Sequence, residues 1–237
     1  MQSCFTAESP TVLQPRTGNW ALIVALSSGW GNYRHQADAL AQYQALKAAG
    51  FSDDRIILIL EDDLPNHPEN LLPGVVRNQP GGDNLNFDVE VDYALSSVTP
   101  SDVMNILSGM VTETTPSVIT STENDNIYVF FVGHGTRSGL VIQEDEFSSQ
   151  FSYITGQMLN FSTREMYERS AFRRILFIVE ACHSGTLGLA LATPNTVLVA
   201  SANPFETSKG ANYDSELKTW VADQMASQVV RMMASPS

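Results

Sequence analysis

The chain has 237 residues, of which 43% are hydrophobic and 16% are charged, a composition typical of a globular protein with a substantial core. Its net charge of −13 argues against nucleic acids and anionic membranes as partners. No apolar stretch approaches the roughly 18–20 residues that a membrane-spanning helix needs. The two cysteines, Cys4 and Cys182, exclude a disulfide framework.

The N-terminal part of the chain predicts a polar leader followed by a strand–helix–strand unit. After the polar residues 1–18, residues 19–26 (NWALIVAL) form an apolar run typical of a buried parallel strand. The alanine-rich residues 33–49 predict an amphipathic helix that ends at Gly50. Residues 56–60 (IILIL) predict the next strand. A strand–helix–strand order of this length predicts a right-handed crossover in a parallel sheet.

Residues 61–100 form an acidic excursion that is rich in proline and glycine. They contain eight Asp or Glu residues and a single cation, Arg77. Ordered loops of this length are commonly lids or rims of a functional site, but a merely tolerated insertion is equally compatible with the composition. At its end, Thr99 as N-cap and Pro100 at the first helical position predict a helix that continues to Gly109.

The C-terminal half predicts a second series of strands and helices, which completes an α/β fold. In chain order these are a strand at 126–132 (NIYVFFV), a short edge hairpin at 139–142, a helix at 155–170, a strand at 174–180 (RILFIVE), a strand at 193–200 and an amphipathic helix at 215–233. The predicted fold is a three-layer α/β/α sandwich formed by one domain, residues 19–237. Its mostly parallel sheet has about six strands, with helices on both faces.

Two of the predicted strands end in residues that are suited to nucleophilic catalysis. Residues 126–132 lead into Gly133-His134-Gly135, and residues 174–180 lead into Ala181-Cys182-His183. Because ligands bind beyond the carboxyl ends of parallel strands, His134 and Cys182 are expected to meet at one edge of the sheet. His134 would then act as base for the Cys182 thiol, and the N–H groups of Gly135 and Cys182 would form an oxyanion hole.

Simpler explanations exist for each of these residues alone. A buried cysteine at a strand end is commonly a small core residue, and a histidine between glycines is commonly a turn residue. The pairing of the two motifs, each after a buried strand, favours a cysteine hydrolase. His183 is expected to face away from the thiol. The histidines and cysteines form no ligand-spaced cluster, so no metal site is predicted.

Several motifs, in their order along the chain, resemble the legumain (asparaginyl endopeptidase) family, peptidase family C13 of the caspase-like clan. They are residues 28–38 (SGWGNYRHQAD), His134-Gly135, Glu180-Ala181-Cys182 with Ser184-Gly185, Ala202-Asn203-Pro204 and Tyr213-Asp214. The catalytic subunit of the glycosylphosphatidylinositol transamidase shares the family fold. Residues 89–93 (VEVDY) and Gly133 are closer to that branch, whereas residues 34–38 and 180–182 are closer to legumain.

The resemblance implies a caspase-like sandwich, a Cys182 nucleophile, His134 as acid and base, and Asn32 as the residue that orients His134. It also implies cleavage after asparagine, through a pocket formed by Arg34, His35, Glu180, Ser201 and Asp214. Such a pocket suits a side-chain amide, which has one acceptor oxygen and a two-donor NH₂ group. An ionised aspartate would be repelled by the carboxylates, so aspartate is expected to be cleaved only at acidic pH.

Three functional hypotheses follow from these motifs. The first is a cysteine endopeptidase that acts on peptides with asparagine before the cleaved bond, without a cofactor. The second is a transamidase or peptide ligase, in which an amine resolves the thioester. The third is a non-catalytic scaffold domain, which would not need Cys182, His134, Asn32 or Arg34.

The resemblance also leads to expectations about the rest of the protein. Many legumains carry aspartate where this chain has Gly133. No C-terminal prodomain is expected after the last predicted helix. A monomer is expected, and a secreted, periplasmic or acidic vesicular location is favoured by analogy with the family.

Overall fold

The computed structural model describes residues 18–144 and 151–234. In chain order its strands and α-helices are β1 (Asn19–Ala25), α1 (Tyr33–Ala48), β2 (Ile56–Ile59), α2 (Pro100–Ser108), β3 (Asn126–Val132), β4 (Gly135–Thr136), β5 (Gly139–Glu144), β6 (Phe151–Ile154), α3 (Gly156–Glu168), β7 (Arg174–Glu180), β8 (Thr196–Ala200), β9 (Gly210–Asp214), β10 (Thr219–Asp223) and α4 (Gln224–Ala234). Four short 3-10 segments lie at Trp30–Asn32, Asp53–Arg55, Leu95–Ser97 and Ser184–Leu189. Cys4 and the predicted leader up to residue 17 lie outside the described residues.

The central sheet has five strands, and every neighbouring pair in it is parallel. The strand order is β2-β1-β3-β7-β8. The sequence predicts a mostly parallel α/β sheet, and this is confirmed, with five strands where about six were expected. The apolar runs of β1 and β3 are buried on both faces because helices cover the sheet on either side.

The two faces of the sheet pack against different helices, which confirms the three-layer sandwich. Leu22, Val129 and Phe177 share one apolar cluster with residues of α2 and α3. Ile23 and Phe130, their neighbours in sequence, share the other cluster with residues of α1 and α4. Alternate residues of a strand point to opposite faces, so each uninterrupted apolar strand contributes to both clusters.

A small antiparallel sheet, β4-β5-β6, follows His134 and includes the hairpin that the sequence predicts at 139–142. Leu140, Ile142 and Ile154 pack in the cluster that contains α2 and α3. This small sheet therefore lies on the α2/α3 side of the central sheet.

The predicted helix at 215–233 is wrong in its first half, where the chain forms the antiparallel hairpin β9–β10. The Asp214 side chain accepts hydrogen bonds from the N–H groups of Glu216 and Leu217, at 2.9 and 3.1 Å. An aspartate that caps a helix accepts from the same relative positions, which explains why the sequence pattern predicted a helix start. Lys218 instead has a φ of 55°, and Thr219 begins a strand rich in residues that favour strands.

The acidic excursion is ordered and packs against the loop between β1 and α1. The Asp63 carboxylate accepts from the Gly29 N–H at 2.8 Å and from the Gln36 side-chain amide at 2.5 Å. His67 stacks on Trp30 with a centroid separation of 5.3 Å. These contacts fit a supporting rim better than a tolerated insertion. The helix predicted at its end is confirmed as α2, which begins with a capping box between Thr99 and Asp102.

Within the described residues, no helix combines the length and the apolar character needed to cross a bilayer.

Candidate active site

The ends of β3 and β7 bring the histidine and cysteine loops into contact. Val132 pairs with Glu180, and the Gly133 N–H donates to the Glu180 carbonyl oxygen at 3.1 Å. His134 and Cys182 each lie two residues beyond this pair. A Cβ at residue 135 would collide with the Cys182 carbonyl oxygen, so only glycine allows the two loops to approach this closely.

Asn32 holds the imidazole of His134 in a defined orientation. Its Oδ1 lies 2.8 Å from His134 Nε2, while its Nδ2 donates to the Ser28 carbonyl oxygen at 2.9 Å. The second bond fixes the amide orientation, so Oδ1 is the acceptor and His134 Nε2 is the donor. In the neutral imidazole, Nδ1 is then the nitrogen that can accept a proton from a thiol.

The position of Asn32 in the fold is consistent with this use of its side chain. Asn32 occupies the N-cap position of α1 but makes no side-chain cap hydrogen bond there. Asparagine is a favoured N-cap residue. Here its Nδ2 bonds to the loop carbonyl of Ser28, and its Oδ1 bonds to the imidazole of His134.

His35 lies behind His134 and is fully buried. The two rings are in edge-to-face contact, with centroids 4.9 Å apart, and His35 Nδ1 is 2.5 Å from the Ser27 hydroxyl oxygen. Burial, together with the positive charge of Arg34 and the proximity of His134, holds the pKa of His35 well below its usual value. His35 is therefore neutral, and its 3.6 Å approach to Asp223 is neither an ion pair nor a hydrogen bond.

The Cys182 side chain is half-buried and faces the pocket side of the loop. Its Sγ lies 3.7 Å from the Ser208 hydroxyl oxygen. The next residue, His183, is engaged elsewhere: its N–H donates to the Glu206 carbonyl oxygen at 2.8 Å, and its Nδ1 is 3.0 Å from the Pro204 carbonyl oxygen. The expectation that His183 faces away from the thiol agrees with these contacts.

Glu180 forms a buried acidic wall of a pocket next to Cys182. Its Oε2 accepts from the N–H groups of Met225 and Ala226, at 2.8 and 2.9 Å, in the first turn of α4. Its Oε1 has no hydrogen-bond partner among the described residues. Burial raises the pKa of Glu180, the nearby Ser201 hydroxyl opposes that rise, and the charge of Asp223 adds to it. Glu180, Ser201 and Ser208 belong to the lining of a pocket of about 420 Å³.

Arg34 pairs with Asp223 beside this pocket. Arg34 Nε donates to Asp223 Oδ1 at 3.0 Å, and Asp223 is almost completely buried. Asp223 Oδ2 lacks a hydrogen-bond partner in the part of the chain that is described. Burial raises the pKa of Asp223, while the Arg34 guanidinium opposes that rise. The pair adjoins the pocket through both of its members. Gly210 packs against Arg34, and the residue after Asp223, Gln224, contributes to the lining.

The structure places Asp214 away from the other residues predicted for the pocket. Its carboxylate lies 3.1 Å from Arg77 Nε, near the turn of the β9–β10 hairpin. Asp223 pairs with Gly210 at the opposite end of that hairpin, four residues or about 13 Å along the strand. The carboxylate beside Arg34 is therefore that of Asp223, and Asp214 is replaced by Asp223 in the pocket.

Glu180 and Ser201 line the pocket, and Arg34 lies beside it through its pair with Asp223. The Ser201 hydroxyl oxygen accepts from the Ala181 N–H at 3.1 Å, which ties β8 to the cysteine loop. Ser208 was not predicted from the sequence. Asp223 was missed because its segment resembled a helix, which hid that it ends a strand next to α1.

Gly133 has a packing role that explains the absence of a larger residue. A Cβ at this position would lie 2.7 Å from the Leu26 Cβ, so an aspartate would displace the end of β1. The described residues contain no group of three histidine, cysteine or acidic side chains that could hold a metal ion.

Comparison with known proteins identifies relatives that share most of this chain. The model of the peptidase C13 family matches residues 19–236. Legumain of Mus musculus is 35% identical over 210 residues, which are 86% of this chain and 47% of that protein. The GPI-anchor transamidase of Saccharomyces cerevisiae is 32% identical over 217 residues, 90% of this chain and 51% of that protein.

A plant relative is similar to the same region. The vacuolar-processing enzyme beta-isozyme of Arabidopsis thaliana is 33% identical over 196 residues, 81% of this chain and 39% of that protein. The chain thus spans about half the length, or less, of these curated relatives.

Proposed function

Because the chain belongs to the peptidase C13 family, we propose that it is a cysteine endopeptidase that cleaves peptide bonds after asparagine. The observation that carries the proposal is the 2.8 Å contact between Asn32 Oδ1 and His134 Nε2, on a loop that packs against Cys182. A scaffold domain would have no use for an oriented imidazole next to a half-buried thiol. The similarity to legumain supports a protease.

The reaction starts with proton transfer from the Cys182 thiol to His134 Nδ1. The thiolate attacks the carbonyl carbon of the scissile bond, and the N–H groups of Gly135 and Cys182 are the proposed donors to the resulting oxyanion. His134 then gives its proton to the leaving amine, which departs as the C–N bond breaks and a thioester remains. Water, deprotonated by His134, attacks the thioester, which releases the carboxylic acid product and restores the thiol.

The pocket proposed for the asparagine side chain combines one cation with two buried carboxyl groups. The terminal N–H groups of Arg34 are suitable donors to the amide oxygen of the substrate. Glu180 Oε1 and Asp223 Oδ2, which lack hydrogen-bond partners among the described residues, are suitable acceptors for the NH₂ group. A substrate aspartate would place a third carboxylate beside these two, so it enters only when it is protonated at acidic pH.

The transamidase or ligase reaction is the second candidate, and the similarity to the GPI-anchor transamidase favours it. It uses the same thioester but resolves it with an amine instead of water. Of the two parts of the sequence that are closer to that branch, residues 89–93 lie against the edge strand β2, where the Asp92 carboxylate accepts from the Leu58 N–H at 2.9 Å. The other, Gly133, directly precedes His134.

The test is a peptide series with Asn, Asp or Gln before the cleaved bond, assayed at pH 5 and pH 7.5 with and without an added amine. We expect Asn peptides to be cleaved at both pH values, Asp peptides only at pH 5 and Gln peptides at neither. Cys182→Ala should lower turnover by about 10³-fold or more. Mass spectrometry of the products separates hydrolysis from amide formation.

Different outcomes exclude different hypotheses. Equal cleavage of Asn and Asp peptides at pH 7.5 would contradict the proposed pocket. Amide products that exceed acid products at a modest amine concentration would favour the transamidase. If an Asn-directed electrophile labels neither the wild type nor Cys182→Ala, the chain is a scaffold and the enzymatic proposal fails.

A further inference from the structure

An exposed cation and an exposed aromatic ring meet across the two loops that carry the catalytic pair. The Arg137 guanidinium lies over the Phe205 ring, 5.5 Å from the ring centroid. Both side chains are exposed, and Phe205 retains 76% of its accessible surface. An exposed ring beside an exposed cation offers both apolar area and positive charge, so the pair is a candidate contact site.

Each member of the pair is fixed to one of the catalytic loops. Arg137 lies in the turn between β4 and β5, three residues after His134, and the His134 carbonyl oxygen accepts from the Val141 N–H at 3.0 Å. The loop that carries Phe205 is joined to the cysteine loop by the hydrogen bonds from His183 to Pro204 and Glu206. The pair therefore joins the loop that follows His134 to the loop that is hydrogen-bonded to His183.

The pair lies on the opposite side of the catalytic residues from the proposed asparagine pocket. The pocket is lined by residues that contact α4, on the α1/α4 side of the central sheet. The β4–β5 hairpin packs on the α2/α3 side. A peptide whose asparagine fills the pocket has its scissile bond at Cys182, which leaves the α2/α3 side to the residues that follow that bond. That part of the peptide is the leaving segment.

We propose that Arg137 and Phe205 form a subsite that binds a carboxylate of the leaving segment of the substrate; this inference rests on the endopeptidase proposed above. In the described part of the chain, none of the ion pairs involves Arg137. The ring lies next to the guanidinium, whose N–H groups belong to an exposed side chain. A planar guanidinium held in this way suits two-point recognition of a carboxylate.

The overall charge of the molecule makes this preference selective. The chain carries 26 acidic and 13 basic residues, so its surface field generally repels acidic peptides. A cation beside the thiol is a local exception that distinguishes an acidic leaving segment from a neutral one. The carboxylate can belong to an Asp or Glu side chain or to the C-terminus of a short leaving segment.

The test compares kcat/KM for C-terminally amidated peptides that share the sequence up to the asparagine. Each peptide carries Glu, Gln or Lys at the first, second or third position after the cleaved bond. We expect wild-type protein to prefer Glu over Gln at one of these positions by roughly two- to fivefold at low salt, the range of an exposed ion pair. Free-acid versions of short peptides show whether the terminal carboxylate is bound instead.

Three variants connect the preference to the pair. Arg137→Gln should abolish the preference for Glu, and Arg137→Glu should reverse it in favour of Lys. Arg164→Gln makes the same charge change on the exposed face of α3 and should leave the preference intact. Arg164→Gln should also turn over a substrate with a fluorogenic amide directly after asparagine, which has no leaving residues, at the wild-type rate.

The outcomes separate this inference from the proposed function. If wild-type protein cleaves the series without any preference for a carboxylate, or if the preference survives Arg137→Gln, the subsite is wrong while the endopeptidase stands. If no peptide with asparagine is cleaved, the endopeptidase proposal itself fails, and the subsite fails with it.

Discussion

At the scale of single residues, two aspartates of the β9–β10 hairpin allow the proposed pocket to be tested directly. Asp223 pairs with Arg34 next to the pocket, whereas Asp214 pairs with Arg77 near the hairpin turn. We expect Asp223→Asn to lower kcat/KM for Asn peptides by about 10- to 100-fold, because it removes a hydrogen-bond acceptor that is charged or partly charged. Because it also removes a carboxylate that repels ionised aspartate, the ratio of Asn to Asp cleavage at pH 7.5 should fall.

Asp214→Asn is the matched control, with the same change on the same hairpin. It should leave the ratio of Asn to Asp cleavage unchanged and act only on stability, measured as the midpoint of thermal unfolding. A loss of selectivity in Asp214→Asn, or unaltered kinetics in Asp223→Asn, would show that the carboxylates are assigned the wrong way round.

The same residues show what the sequence alone could and could not predict about the site. Cys182, His134 and Glu180 follow or end apolar strands, so their common edge followed from strand patterns and parallel topology. Asn32 and Arg34 came from a motif. Asp223 could not be placed, because its contact with Arg34 joins positions 189 residues apart through a hairpin that the pattern did not indicate.

At the scale of secondary-structure elements, the β9–β10 hairpin depends on a clamp that joins it to α1. The Asn78 side-chain amide donates to Asp38 Oδ1 at 2.7 Å and to the Val221 carbonyl oxygen at 3.0 Å. Asp38 Oδ2 accepts from the Asp223 N–H at 2.9 Å. Arg34 and Asp38 are four residues apart on α1 and thus face the hairpin together.

We expect Asn78→Ala to loosen the end of β10 that carries Asp223. Its loss of two buried hydrogen bonds should lower the free energy of unfolding by about 1–3 kcal/mol. KM for Asn peptides should rise, whereas the rate of alkylation of Cys182 by a small reagent such as iodoacetamide should stay at the wild-type value. The last measurement distinguishes a displaced pocket from a damaged catalytic pair.

Asn84→Ala provides the comparison within the same excursion. Asn84 also makes several hydrogen bonds, to Val76, Gly74 and Asn86, but none to the hairpin. It should destabilise the chain without a specific rise in KM. Equal KM values in the two variants would mean that the clamp does not position Asp223.

The elements differ in how far their sequence determines them. Strands that are buried on both faces, such as β1 and β3, have uninterrupted apolar runs that can be recognised without tertiary information. The hairpin has exposed aromatic residues, Tyr213 and Trp220, each about half exposed, on strands of five residues. Its spacing of apolar residues fits a helix face as well as a strand, and only the packing against α1 decides between them.

At the scale of the whole molecule, buried carboxyl groups determine how stability depends on pH. Burial raises the pKa values of Asp38, Asp223 and Glu180, and it raises the pKa of Asp92 to about 6. The negative charge of Asp223 raises the pKa of Asp38 further, whereas the contacts of Asp223 with Arg34 and Asp38 oppose the rise of its own pKa. The sandwich itself was predictable from alternating strands and helices. The buried cluster of Asp38, Glu180 and Asp223 was not, because it forms where α1, β7 and β10 meet.

The direction of the effect follows from proton binding. A carboxyl group with a raised pKa binds its proton more tightly in the folded than in the unfolded chain, where its pKa is about 4. Its contribution to stability is complete below the unfolded pKa and is lost as pH rises through the folded pKa. For Asp92 this loss falls between about pH 4 and pH 6. His35 acts in the opposite sense: kept neutral in the fold, it costs stability as pH falls below about 6.5.

These four carboxyl groups, together with Asp62, whose pKa burial also raises, oppose one histidine, so we expect the midpoint of thermal unfolding to be higher at pH 5 than at pH 8. Asp38→Asn removes one of the ionisable groups and should flatten this dependence. Asp54→Asn, an exposed aspartate outside the cluster, should keep the wild-type slope. A midpoint that rises from pH 5 to pH 8, or an unchanged slope in Asp38→Asn, would contradict the role of the buried cluster.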